Sequence, residues 1–512
     1  PGGGGNLDLI EAARLAGLPF VTTATESGSA IAAIAQAELT RTPGACVTTL
    51  GPGVASVVNG VACAHLDRAP ILVVTDGTSA ASRAFEHQRL DHGALLRPIT
   101  KWSGVLEDGD AGRALADAFS ALGTRPPGPV HLDCAPGSLE TTFATPASVE
   151  PAAERAARAG RDASGVIARL GRARRPIVIA GLAARRPEDA AALRAFCETL
   201  GVPALVTYKA KGVIPDDHAW FGGVFTHGAI ERQIMDEADL VVGVGFDPVE
   251  ILPRRWSYGQ PVVSLAPWQM SSAHVPFEAH CTGAIAESLA EVASSVTTTW
   301  DAARVQSAAR AARAALDLPS SGLAPVRVVQ VAASVSPATR LTVDAGAHMF
   351  AATVIWPATQ PGDVLISNGL STMGFAVPAA VGAAAIGRHR LEGPPRRVLA
   401  LTGDGGLLVC LGELATLARE RLPVTVIVLN DGALSLIKIK QAARGFPAAG
   451  VALGAIDWQR IAGGFGLAHW SARTEPELRR ALEAAAATEG PALLDVTIDP
   501  STYGDLMKVI RG

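Results

Sequence analysis

The sequence has no Cys-x-x-Cys pair, no excess of basic charge, no signal peptide and no long apolar run free of breakers. Its six cysteines (Cys46, Cys63, Cys134, Cys197, Cys281 and Cys410) are scattered along the chain. That pattern indicates neither a zinc site nor a disulfide framework, and a reducing cytoplasm is the simplest setting. A net charge of −4 gives no preference for nucleic acid or an anionic membrane surface. Asp, Glu, Lys and Arg are missing from Thr42 to Leu66 and from Val364 to Gly387, lengths that alone suggest membrane spans. Gly, Pro, Asn and Ser/Thr interrupt both stretches, which fits buried loop-and-helix segments better. The chain also lacks an initial Met. It opens Pro1-Gly2-Gly3-Gly4-Gly5, which predicts a strand and helix of the first domain upstream of it.

What is present is a composition of 48% hydrophobic and 18% charged residues over 512 positions, enough for large buried cores and about three domains. The most informative stretch runs from Val398 to Gln441. Val398 to Thr402 reads as a buried strand, and Gly403-Asp404-Gly405-Gly406 as a turn where backbone can approach a ligand. A single helix is predicted next, with Leu411, Leu414 and Leu417 on one face. Pro423 ends it, and Val424 to Leu429 is a second strand running into Asn430-Asp431-Gly432. A parallel βαβ unit brings both strand ends to one edge of a sheet, so Asp404 and Asp431, 27 residues apart (431 − 404), should meet. Hard oxygen ligands there suit Mg²⁺, and the N–H groups of Gly405 and Gly406 suit phosphate. The site reads as a metal-bridged diphosphate.

The first block, residues 1–150, should hold a helix over Leu7 to Ala16, a strand at Phe20 to Thr23 and a helix over Glu26 to Leu39. A strand at Cys46 to Leu50, a helix from the Gly51-Pro52-Gly53 turn to about Leu66, and a strand at Ile71 to Thr75 should follow. Strand, Gly-x-Gly, helix, Arg-x-Pro, strand thus occurs twice, from Gly51 to Pro70 and from Gly403 to Pro423, which marks an internal repeat of one domain type. Pro52 stands where the second copy has Asp404, so only that copy carries metal ligands. Residues from Ala135 to Ser164 read as a linker, and Leu316 to Pro325 as another. Between them, residues 165–315 form a Rossmann-like middle block with strands at Pro176 to Ala180, Leu240 to Val244 and Pro261 to Leu265. Its Gly243-Val244-Gly245 lacks the third glycine of a dinucleotide fingerprint, so a tight turn in a structural domain is favoured. The last block is 326–512.

GDGG followed by LND, with ATESGSA, TLGPG, RPITKW, DAGAHM and SNGLSTMGFAVPAAVGA, resembles the thiamine diphosphate (ThDP) enzymes, in particular their acetolactate synthase-like branch. The resemblance covers nearly the whole chain. It implies an α/β fold of three domains, two related ThDP-binding parallel-sheet domains flanking the Rossmann-like one. It implies Mg²⁺ held by Asp404, Asp431 and the Ala433 carbonyl, with Asp431 where the family usually has Asn. Glu26 would be the catalytic glutamate that hydrogen-bonds the aminopyrimidine and so promotes loss of the thiazolium C2 proton. Taken alone, Thr23-Ala24-Thr25-Glu26 is also a capping-box spacing.

Met373 matches the residue that wedges under the bent cofactor. Ala345, Gly346, Ala347 (often Gln in the family) and His348 match a segment at the diphosphate. Pro52, Ser371, Leu434, Ser435 and Leu436 complete the implied cofactor contacts. His87 and Gln88 match a pair on the substrate side, where acetolactate synthases have Phe-Gln. Lys440 stands where they have a Trp that selects the second keto acid. Lysine offers a charge in place of an apolar wall. The implied activity is therefore decarboxylation of a small-molecule 2-keto acid with carboligation, outside acetolactate synthase proper, by a homodimer or homotetramer with active sites at the dimer interface. Two alternatives are a simple 2-keto acid decarboxylase and a non-catalytic ThDP-binding paralogue that assembles with an active partner. A nicotinamide dehydrogenase using Gly51-Pro52-Gly53 and Asp76 is weaker, because Ser56 takes the place of its third glycine.

Overall fold

The computed structural model describes residues 3–77, 87–107, 111–135, 162–252, 254–337, 339–389 and 396–512. Most of the first expected linker lies outside them. Three wholly parallel sheets follow one another along the chain. The first comprises β1 (Gly44–Thr48), β2 (Ile71–Asp76), β3 (Trp102–Leu106) and β4 (Val130–Cys134) in the order β1-β2-β4-β3. The second, in the order β10-β9-β8-β5-β6-β7, is built from β5 (Pro176–Ala180), β6 (Ala204–Val206), β7 (Phe221–Val224), β8 (Leu240–Val244), β9 (Val262–Ala266) and β10 (Phe277–Thr282). The third is β12-β11-β13-β14-β16-β15, from β11 (Arg340–Val343), β12 (Val364–Ile366), β13 (Val398–Gly403), β14 (Val424–Asn430), β15 (Ala468–Ala472) and β16 (Ala492–Thr497). Central strands are buried on both faces, as their unbroken apolar runs require.

The internal repeat is real at the level of hydrogen bonds. The order β1-β2-β4-β3 reappears as β13-β14-β16-β15. In each copy the helix ends in an arginine of left-handed conformation, Arg68 (φ 55°) and Arg421 (φ 48°), two residues before the strand proline. Each then closes with the same long-range turn bond, Ala69 N–H to Ala64 O at 2.9 Å and Leu422 N–H to Leu417 O at 3.0 Å. Two sequence expectations fail. Phe20 to Thr23 is irregular, with no strand paired to it among the described residues, and the helix after Gly403 is two helices. Cys410 to Gly412 breaks that helix, leaving Asp404–Val409 and Glu413–Arg419.

Helices that position the site are α1 (Leu7–Leu15), α2 (Glu26–Thr40), α3 (Pro52–Leu66), α4 (Ala347–Ile355), α5 (Ala376–Arg388), α6 (Asp404–Val409), α7 (Glu413–Arg419), α8 (Ser435–Ala443) and α9 (Tyr503–Arg511). The charge-free run after Val364 includes α5, which is buried along almost its whole length. It packs on α2 so closely that a Cβ at Gly382 would lie 2.4 Å from Ala32 O. No helix among the described residues is long and apolar enough to cross a membrane. The second expected linker is irregular, yet it is pinned by Leu316 and Leu323 in the main core.

All three blocks meet at a buried ionic junction. Lys209 of the middle block pairs with Glu38 of α2 and donates to Ile366 O at 2.9 Å. Arg185 reaches the other Glu38 oxygen at 2.7 Å. Asp67, at the end of α3, accepts from Asn368 N–H at 3.1 Å and Gly369 N–H at 2.8 Å. Charges this deeply buried cost desolvation and are tolerated because each is paired and hydrogen-bonded. Their effect is to fix the loop that follows β12, which carries Ser371 and Met373.

Candidate active site

Five adjacent strands of the last sheet, β12, β11, β13, β14 and β16, present their carboxyl ends at one edge. In an open parallel sheet that edge is where ligands bind. A single cleft there is walled by Ala345, Gly346, Ala347, His348, Met373, Gly403, Asp404, Gly405, Gly406, Asp431, Ala433, Leu434, Ser435 and Leu436, together with Leu429 and Tyr503. Residues separated by up to 91 positions (436 − 345) in the sequence reading are thus brought together.

Asp404 is 3% exposed. Its Oδ1 accepts from Gly405 N–H at 2.7 Å, and its Oδ2 reaches the other strand end to accept from Gly432 N–H at 2.7 Å. One of the two amides expected to face phosphate is therefore engaged by Asp404 itself. Asp431 accepts from Ala433 N–H at 3.2 Å and from the Ser435 hydroxyl at 2.5 Å. Its neighbour Asn430 turns away and donates to Asp495 at 2.9 Å, so only the second residue of the pair faces the cleft. Burial raises both carboxyls above the usual range; the nearby Asp431 adds to the rise at Asp404, while Lys438 offsets part of it at Asp431. Among the described residues no three acidic, His or Cys side chains cluster as a ready metal cage. The site offers two carboxylates and main-chain carbonyls, a hard, incomplete donor set with room for ligand oxygens.

The rest of the cleft fits an anionic group beside that donor set. His348 is buried with its Nε2 lacking any hydrogen-bond partner among the described residues, and burial holds its pKa at about 4, so it is neutral near pH 7. Its ring lies against the turn backbone, 3.5 Å from where a Cβ on Gly403 would be. A Cβ on Gly406 would come within 2.3 Å of Asp344 Oδ2, which explains why the turn must be bare. Met373 places its Cε 3.4 Å from the equivalent position on Gly405 and is 36% exposed.

Sequence reasoning passed over Asp344, which is the buried tie of this edge. It accepts from Ala345 N–H (2.9 Å), Gly374 N–H (3.1 Å), Phe375 N–H (3.1 Å) and the Thr402 hydroxyl (2.8 Å). Burial pushes its pKa up to about 6 against those four donors. Glu413 was also missed. Fully buried at the start of α7, it accepts from Ala24 N–H (3.2 Å) and from Thr25 N–H (3.0 Å) and hydroxyl (3.2 Å), so the last block holds the entry to α2.

That entry settles one ambiguity. Thr25, and not Thr23, is the N-cap of α2, accepting from Gly28 N–H at 3.0 Å, while Thr23 donates to Thr25 O. Glu26 is the first helical residue, half-buried, and its carboxylate makes no hydrogen bond among the described residues. The capping-box role expected from its spacing is not formed.

Other expected site residues lie outside the cleft. Pro52 is exposed at the start of α3. Gly51 before it has φ 60° and is packed on Gln88 O. Its N–H is held by His92 Nε2 at 3.1 Å, and His92 Nδ1 lies 3.0 Å from Asp133 Oδ1. Since Nε2 accepts there, geometry assigns the ring proton to Nδ1. His87 and Gln88 are exposed, just after a segment outside the described residues. Ser371 is exposed and donates to Asn368 O at 3.0 Å. Lys440 is exposed on α8, four residues and so one turn beyond the cleft-lining Leu436.

In the middle sheet the order reverses between β8 and β5, the place where a nucleotide would bind. The chain's own Glu250 fills it. Its Oε2 accepts from Leu182 N–H at 2.9 Å and Asp247 N–H at 3.3 Å, the amides an anion would use, and burial pushes its pKa up to about 8.

Comparison with known proteins agrees with this architecture. Residues 2–95, 163–289 and 344–496 match the N-terminal TPP binding, central and C-terminal TPP binding domains of thiamine pyrophosphate enzymes. The chain belongs to that family. Within it, the chain falls in the acetolactate synthase-like branch. It is 26% identical to an acetolactate synthase of Bacillus subtilis, over 99% of this chain and 93% of that protein. It is 30% identical to a chloroplastic acetolactate synthase 2 of Oryza sativa, over 92% and 76%. It is 27% identical to a protein described as a 2-ketoarginine decarboxylase of Pseudomonas aeruginosa, over 96% and 89%. An X-ray structure of a thiamin diphosphate-dependent enzyme from Mycobacterium smegmatis shares the fold, with a TM-score of 0.77 at 21% identity over 97% of this chain and 95% of that one.

Proposed function

We propose that this chain is a ThDP- and Mg²⁺-dependent enzyme that decarboxylates a 2-keto acid and transfers the remaining acyl unit to a second carbonyl, outside acetolactate synthase proper. The observation that carries the reading is the convergence of Asp404 and Asp431 at neighbouring strand ends beside His348, whose Nε2 has no hydrogen-bond partner among the described residues. Asp404, Asp431 and the Ala433 carbonyl would hold the metal, and His348, Gly406 and the Ala345-Gly346-Ala347 backbone the diphosphate. When bound, the cofactor supplies a carbon nucleophile and an electron sink for carbanion chemistry. Met373 would support its rings from below. Glu26 would hold a proton at the aminopyrimidine, and its carboxylate is available for that because no helix cap consumes it.

Glu26 lies in the first block and is absent from the cleft of its own chain. The rim of the cleft exposes Met373 (36%), Leu408 (40%), Val409 (59%) and Ile437 (45%). An apolar rim of this kind calls for cover. A second copy presenting Glu26, Pro52, His87 and Gln88 would provide it, making a homodimer or a tetramer of such dimers, in the cytoplasm.

A second reading, simple decarboxylation, is favoured by the similarity to the protein described as a 2-ketoarginine decarboxylase. One experiment separates the readings: purified protein with ThDP, Mg²⁺ and a panel of 2-keto acids, followed by CO₂ release and mass spectrometry. Carboligation gives a product longer than the donor, and decarboxylation gives the aldehyde. No CO₂ from any donor would leave a non-catalytic ThDP-binding paralogue.

A further inference from the structure

We propose that Tyr503 is a binding residue of the diphosphate site, donating its hydroxyl to a diphosphate oxygen beside the metal. This rests on the reading of the cleft given above and extends it to a helix no motif pointed to. Tyr503 lines the cleft and is 3% exposed. It is held there from three sides. Strand β16 runs beside β14, and just beyond it Ile498 N–H donates to Asn430 O at 3.1 Å, which brings the following segment over Asp431. Leu506 and Ile510, on the same face of α9 as Tyr503, are buried in the main core. At the far end Arg511 lies over the Phe350 ring of α4, 5.3 Å from its centre. The last helix therefore spans the two elements, α4 and α8, that wall the diphosphate end.

The hydroxyl makes no hydrogen bond among the described residues, which leaves it free for a ligand in the cleft that Tyr503 lines. Asp404 and Asp431 line the same cleft as Tyr503. A neutral donor in one cleft with two acidic groups is suited to an anion that those groups hold through a cation. Once both carboxylates face a metal, the acceptor left for the phenol is the bound diphosphate.

Tyr503→Phe keeps the ring and removes the donor. By calorimetry with Mg²⁺, the variant should bind ThDP at least about tenfold more weakly, and inorganic diphosphate should weaken alongside it. Thermal melting without cofactor should be unchanged. Equal ThDP affinity in the two proteins would overturn the role of Tyr503 alone. So would a loss for ThDP without a loss for inorganic diphosphate. Failure of the wild type to bind ThDP would overturn the underlying reading with it. A second measurement needs no variant. The chain has only three tyrosines, Tyr208, Tyr258 and Tyr503, so fluorotyrosine-labelled wild type should show three ¹⁹F resonances. One should move on addition of Mg²⁺ and inorganic diphosphate, while those of the middle-block pair stay still. No movement would also overturn the proposal.

Discussion

Asp404 and Asp431 are in tension before any ligand arrives. Both are raised by burial, and each native carboxyl therefore binds its proton more tightly than the unfolded chain does, near 3.9 (about, for a free Asp). Stability from such groups is greatest below the unfolded value and is lost as pH rises through the raised native ones. Metal binding has the opposite demand, since the ligands must be ionised. Asp431→Asn removes one charge while its amide can still accept from Ala433 N–H and donate to Ser435. Cofactor-free Asp431→Asn should melt a few degrees above wild type at pH 7, with the gap closing as pH falls toward about 4. Parallel melting curves across that range would refute the tension. Lys440 poses a second question at this scale. It is exposed one turn beyond Leu436, outside the described cleft, and as a substrate contact it would add a cation there. Lys440→Met should lower use of an acceptor or donor carrying a second anionic group by roughly tenfold to a hundredfold, the worth of one charge-assisted contact, and spare pyruvate and ThDP affinity. If every substrate falls together, the lysine acts on the fold instead.

At the scale of elements, the pieces most legible in the sequence were those whose pattern is local. Pro176 to Ala180 and Leu240 to Val244 were legible to the residue, because an apolar run between turn residues has one buried reading. The twin Arg-x-Pro helix ends were legible because the same turn chemistry recurs at the same spacing. Phe20 to Thr23 has strand composition but no partner strand among the described residues, and pairing is not a local property. The break at Cys410 to Gly412 was missed for a similar reason. Leucine periodicity continued across it, while the cause lies in Glu413, which must reach Ala24 and Thr25 of another block. That carboxylate satisfies two main-chain N–H groups and a hydroxyl at the part-buried entry to α2, so truncating it loses hydrogen bonds worth about 1 kcal/mol apiece. Glu413→Ala should cost about 3 kcal/mol in urea unfolding and should depress activity more than ThDP affinity, because it loosens the helix that starts at Glu26. A change below about 0.5 kcal/mol would reduce Glu413 to a bystander.

At the scale of the whole molecule, the meeting of Asp404 and Asp431 was legible from a βαβ count, while the other expected cleft residues were legible only through the family resemblance. Tyr503 was not, since no motif surrounds it, and Asp344, although it opens the DAGAHM motif, was passed over because its four partners, at Ala345, Gly374, Phe375 and Thr402, come together only in the fold. Glu26 does not line the cleft of its own chain, and the proposed second copy is the reading that would supply it. The buried junction of Glu38, Asp67, Arg185 and Lys209 locks the three blocks of one chain together, so Glu26 is not free to swing into its own chain's cleft. In the proposed dimer, the first block of a second copy would cover the exposed Met373. Glu26→Gln chains would carry an intact metal site and a disabled proton site, and Asp404→Ala chains the reverse. Each alone should be inactive. After subunits are mixed and shown to exchange, one of the two interfaces in a mixed dimer receives both native residues, so up to a quarter of the wild-type rate is expected from a random mixture: half the dimers are mixed, and each has one working site of two. Activity that stays at the level of the separate variants would place both residues in one chain's site and remove the shared interface from the argument.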